Sequence, residues 1–154
     1  MAARDGIQSI YQIAHTLRNI GSAQRKIPSI EPVVDKTALK SATKEFDRRF
    51  ANFNDLRNAV SHGAEMTSNP DHFDRNAFVG SFTNDHCKIV DAKRLMLGDT
   101  LSQRCFITTR NKKILTYDIS DVTLARLKTI QKLVWSAFSE TTTVACKFLA
   151  SLML

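Results

Sequence analysis

At 154 residues, with 43% hydrophobic and 24% charged side chains, the chain has the size and composition of one soluble globular domain, not of a disordered or fibrous polypeptide. A formal net charge of +7 favours an anionic partner such as RNA or DNA. Three scattered cysteines, Cys87, Cys105 and Cys146, argue against a disulfide framework and fit a reducing compartment.

The opening residues lack the apolar stretch of a signal peptide. Ile7, Ile10, Ala14, Leu17 and Ile20 recur at helical spacing, which predicts a first helix from Asp5, as cap, to Ser22, with Gly21 as a stop. Residues 25–32 hold two prolines and read as a connection. Asp35 is placed to cap a second helix. Along it Leu39, Ala42, Phe46, Phe50, Phe53, Leu56 and Val60 keep one apolar stripe in phase for about six turns. That phase predicts continuity through Asn52 and Asn54, with Gly63 as the C′ residue. Residues 64–86 are polar and irregular and read as a long loop, interrupted by a short helix around Phe73–Phe78. His62, His72 and His86 are too irregularly spaced for a metal site, so neither metal nor cofactor is expected. Residues 104–119 read as a β-hairpin turning at Asn111-Lys112-Lys113. Ser120 then caps a helix with Val122, Leu127, Ile130, Val134 and Phe138 on one face. A last apolar helix over about 143–153 presents Val144, Phe148, Leu149 and Leu152, as core or as a docking surface for a protein partner or a membrane surface. Glu140, three threonines and Lys147 interrupt that apolar end, so no membrane span is expected and the cytoplasm is the expected compartment. The expected fold is mainly α, a helical bundle with one inserted β-hairpin in a single domain over 1–154.

The segment with chemical content is Leu56-Arg57-Asn58-Ala59-Val60-Ser61-His62-Gly63. Arg57 is a permanent cation whose fork of donors suits a phosphate, and His62 can take and return a proton near neutrality. Together they are what metal-free phosphodiester cleavage requires. Residues on a helix advance about 100° each, so Asn58 and His62 share a face while Arg57 lies about 140° from His62. One chain therefore unites them only if the helix loosens at His62; otherwise a two-fold dimer must. Arg57 at the edge of an apolar stripe also needs an anion, either a carboxylate such as Glu45 or Asp55 or a ligand phosphate. Lys40, Lys44, Arg48 and Arg49 on the same predicted helix are candidate RNA-backbone contacts, or an ordinary solvated face. A second basic region contains Lys88, Lys93, Arg94, Arg104, Arg110, Lys112 and Lys113.

The Arg57-Asn58-x-x-x-His62 element followed by Gly63 resembles the HEPN superfamily (higher eukaryotes and prokaryotes nucleotide-binding). The Ala3-Arg4-Asp5-Gly6 helix start and the order of long helix, motif, loop, hairpin and closing helix are similar to bacterial HEPN-like proteins over about residues 3–139. A full HEPN bundle has a further helix before this start; the chain lacks it, or the segment after Phe138 fills its place. The resemblance implies a homodimer whose two motifs line one cleft. It implies a metal-independent endoribonuclease of a defence or toxin type, with His62 as general acid or base, Arg57 on the phosphate and Asn58 orienting either. The products would be a 2′,3′-cyclic phosphate and a 5′-hydroxyl. The alternative is a non-catalytic helical dimerisation or interaction module in which the motif is structural.

Overall fold

The computed structural model describes residues 2–141. Six α-helices and five strands follow in the order α1 (Ala2–Ala23), α2 (Lys36–Arg49), α3 (Phe53–Ser61), α4 (Gly63–Met66), α5 (Pro70–Asn76), β1 (Phe78–Thr83), β2 (Lys88–Leu95), β3 (Thr100–Ser102), β4 (Cys105–Arg110), β5 (Lys113–Asp118) and α6 (Asp121–Ala137). Strand makes up 21% of the described residues beside 59% helix, in one two-stranded and one three-stranded antiparallel sheet. The expected helical bundle with a single hairpin is therefore corrected to a helix-rich mixed α/β fold. The apolar helix expected over 143–153 lies outside the described residues.

Two compact units divide the chain. The first takes the described residues through Tyr11 together with Asn52–Thr123; the second takes Gln12–Ala51 and the described residues from Leu124 onward. In the first unit Ile7 of α1, Leu56 and Val60 of α3, Phe106 of β4 and Leu115 of β5 form a buried cluster, with Ala3 and Tyr117 against it. Helix and sheet approach closely at Gly6, where a Cβ would stand 3.1 Å from the Tyr117 hydroxyl. Strand β4 is central, between β3 and β5, and buried from Cys105 to Thr109. Its two buried threonines are satisfied: Thr108 Oγ1 donates to the Leu97 carbonyl at 3.1 Å, and Thr109 Oγ1 accepts from Leu97 N at 3.0 Å. Strand β1 pairs with β2 around Gly80, whose φ of 115° accompanies irregular register on both sides.

In the second unit Val34, Leu39 and Ala137 are the buried centre, flanked by Ile20, Ile30, Val134 and Phe138. Asp35 caps α2 as its position predicts, its side chain accepting from Thr37 N at 2.8 Å and Ala38 N at 3.0 Å.

Several boundaries differ from the sequence expectations. Helix α1 begins before Asp5, which lies in its first turn, and passes through Gly21. The long second helix is broken: α2 stops at Arg49, and α3 starts at Phe53 after the cap position at Asn52. Phe46 and Phe50 before the break and Phe53 and Leu56 after it are all buried. Burial alone thus does not demand a continuous helix. Gly63 follows the α3 C-cap at His62, as expected of a C′ residue, and it also opens α4. On α6, Thr123, Ile130 and Ala137 are buried while Val122 is 55% exposed, so the buried face is set one residue later than expected at its start.

Candidate functional site

The backbone at His62 leaves the helix, with φ −119° and ψ 21°, so His62 ends α3 and precedes α4. The helix is therefore loosened at His62, one of the two routes the motif spacing leaves open, without bringing Arg57 to the groove that His62 lines. That groove, of about 390 Å3 in the first unit, is lined by His62, Glu65, His72, Arg75 and Arg110, with Met66, Asn76 and Asn111 completing the wall.

Glu65 anchors both histidine rings. Its carboxylate Oε2 lies 3.1 Å from His62 Nδ1, and its backbone carbonyl lies 2.9 Å from His72 Nδ1. A carboxylate or carbonyl can only accept, so each contact assigns the proton to Nδ1. In the neutral ring Nε2 is then left as a base, the tautomer that general base catalysis uses. Ser68 Oγ adds a contact to His72 Nδ1 at 3.2 Å.

The far wall is the tip of the β4–β5 hairpin. Arg110 pairs with Lys113 across a two-residue turn, Asn111-Lys112, with φ of 50° and 61°. Positive φ at both positions is the type I′ arrangement that matches strand twist. Asn76, 7% exposed, ties this tip to α5: its Oδ1 accepts from Asn111 N at 3.2 Å and its Nδ2 donates to the His72 carbonyl at 2.8 Å.

Arg57 and Asn58 are not among the residues that line this groove. Arg57 stacks on Tyr11, with Cζ 5.0 Å from the ring centroid, and its Nη1 donates to Asn58 Oδ1 at 3.1 Å. Neither carboxylate expected to neutralise it does so, because Glu45 pairs with Arg48 and Arg49, and Asp55 stands beside Arg110. Arg57 Nε is buried without a hydrogen-bond partner. The structure thus brings His62 to the groove and holds Arg57 elsewhere in the same unit.

The four candidate RNA contacts belong to the second unit, on α2. Lys40 and Lys44 are exposed, whereas Arg48 and Arg49 both bond to Glu45 and hold its carboxyl down at about 2. The single Glu45 carboxylate offsets one of their two charges. The second unit also holds a groove of about 530 Å3, with Ile13, Leu17, Ile20, Leu127, Val134 and Trp135 on its walls and Lys128 as its one charged group. Its apolar wall suits a nonpolar contact and carries no acid–base chemistry.

Cys105 is no nucleophile candidate, since burial, followed by the neighbouring charge of Asp118, pushes its thiol up. Among the described residues no group of three or more His, Cys, Asp or Glu side chains could hold a metal, and no helix is long and apolar enough to cross a membrane. His72, Glu65, Arg75 and Arg110 escaped sequence reasoning as site residues. They come from α4, α5 and β4, and no spacing in the sequence links them to His62. No known protein family matches the chain, and no curated protein or solved structure is significantly similar to it.

Proposed function

We propose that this protein binds RNA at the His62 groove and cleaves the backbone without a metal ion, His62 Nε2 exchanging the proton of the ribose 2′-hydroxyl or of the leaving 5′-oxygen. The observation that carries this reading is the Glu65–His62 contact beside two arginines, which combines an oriented acid–base group with cations for a phosphate. The net charge of +7 supports a polyanionic partner. The resemblance of the motif to HEPN ribonucleases supports the same reaction. In this reading Arg57 and Asn58 enter through a two-fold homodimer, where motifs from two copies form one cleft. Such an enzyme would act in the cytoplasm as a toxin or defence effector.

The test is incubation of the purified protein with single-stranded RNA in EDTA. Cleavage leaving cyclic phosphate ends, abolished in a folded His62→Ala variant, is the expected outcome. Intact RNA with the wild-type protein would overturn the reading.

A second reading is favoured by the Arg57 stack on Tyr11 and its bond to Asn58. There the motif arginine is structural and the chain is a non-catalytic interaction module. Arg57→Ala would then lower stability, and wild-type protein would leave RNA uncut.

A further inference from the structure

We propose that Arg110 and Arg75 form, within one chain, the phosphate seat of the His62 groove. This rests on reading the groove as an RNA site, and it names the side chains that hold the anion there. Arg110 carries the argument. Its side chain is only 22% exposed, yet among the described residues none of its donors bonds to an oxygen. Its Nε is buried without a hydrogen-bond partner. The nearest carboxylate oxygen, Asp55 Oδ1, is 3.8 Å from Nε, close enough for attraction and too far for a hydrogen bond. Its Nη1 meets only the Met66 thioether at 3.9 Å. A partly buried guanidinium that has a carboxylate in range but no oxygen at hydrogen-bond distance keeps its donors open, and its planar fork matches two phosphate oxygens.

The seat is also held in place. Arg110 stands on a two-residue hairpin turn that Asn76 fastens to α5, the helix that carries Arg75 and His72. Arg75 is exposed and makes no ion pair among the described residues. His72 uses its Nδ1 proton on the Glu65 carbonyl, so its neutral ring lines the seat without donating to the anion. With both histidines neutral, the formal charge of Arg75, Arg110 and Glu65 is +1, that is, two cations less one carboxylate. Counting Asp55 beside Arg110 brings the formal charge to zero, so the seat relies on directed hydrogen bonds more than on bulk field.

Inorganic phosphate is the probe, titrated at clamped pH and ionic strength while the histidine ring signals are followed by NMR. The expected result is saturable movement of the His62 and His72 signals, weakened about tenfold or more by Arg110→Gln and by Arg75→Gln. Lys88→Gln, an exposed cation on β2, should leave binding as in the wild type. Because Arg75 is exposed, Arg75→Gln keeps the test decisive should Arg110→Gln fail to fold. Unchanged binding in both arginine variants, equal weakening by Lys88→Gln, or acetate binding as well as phosphate would overturn the seat. Wild-type RNA cleavage that His62→Ala removes, beside phosphate binding indifferent to both arginines, would refute the seat and leave the RNA reading standing. Wild-type protein that neither binds phosphate nor cuts RNA would refute both.

Discussion

Replacing Asn76 with alanine isolates the tie that builds the groove. The side chain makes two hydrogen bonds, to Asn111 N at 3.2 Å and to the His72 carbonyl at 2.8 Å, from a position 7% exposed. At roughly 0.5–1.5 kcal/mol each, their loss would cost about 1–3 kcal/mol. The lower part of that range applies for two reasons. Asn111 is exposed, so its amide can regain water, and the His72 carbonyl is within the helical ladder of α5. A loss of about 1–2 kcal/mol corresponds to a urea midpoint lower by roughly 0.5–1 M at an m-value of about 2 kcal/mol/M. The Asn111 amide should also exchange with solvent faster, and phosphate binding should weaken as Arg110 loses its fixed position. An unchanged urea midpoint together with unchanged Asn111 exchange would refute the claim that Asn76 holds the hairpin tip in place.

Phe106 is 2% exposed at the centre of the first unit, and Phe106→Ala should cost about 3–5 kcal/mol, read by chemical denaturation. Gly80→Ala places a side chain at φ 115° in a region L residues rarely adopt, while the added Cβ meets only Phe78 Cζ at 3.9 Å. The expected loss of about 1 kcal/mol or more is therefore a backbone effect, and a neutral result would show that β1 relaxes. Glu45 should titrate at about 2 by carboxyl NMR, and losing Arg48 should raise that value. Its folded-state value is depressed, so the stability it contributes is present above the ordinary carboxyl value and disappears as pH falls toward about 2. Titration of Glu45 at its ordinary value would contradict the Arg48–Glu45–Arg49 arrangement.

Much of the helical framework is legible residue by residue. The spacing of Ile7, Ile10, Ala14 and Leu17 marks α1, all four being buried, and Asp35 marks the start of α2. The β-prone runs on either side of Asn111 give β4 and β5. Strands β1 and β2 are not legible because their pattern is shallow: Phe78, Gly80 and Phe82 are half-buried, while Val79 and Val90 are 62% and 64% exposed. A hydrophobic residue facing solvent carries no alternation to read. The break at Phe50–Asn52 is hidden for the opposite reason, since the buried phenylalanines on both sides keep helical phase through non-helical backbone. At the site, His62 is legible from its motif, but its orientation depends on α4, which the polar composition after Gly63 conceals. Arg110 reads as one basic residue among several. Only the folded hairpin shows that its side chain is partly buried with an Nε that has no hydrogen-bond partner.

The most direct measurement is NMR mapping of the protein with a 2′-O-methyl RNA oligonucleotide, which binds as RNA does but lacks the hydroxyl that cleavage uses. Saturable shifts at His62, Glu65, His72 and Asn111, larger than those at Lys40 and Lys44 on α2, are the expected result. Shifts confined to α2, or no saturable shift anywhere, would contradict the assignment of the His62 groove as the RNA site.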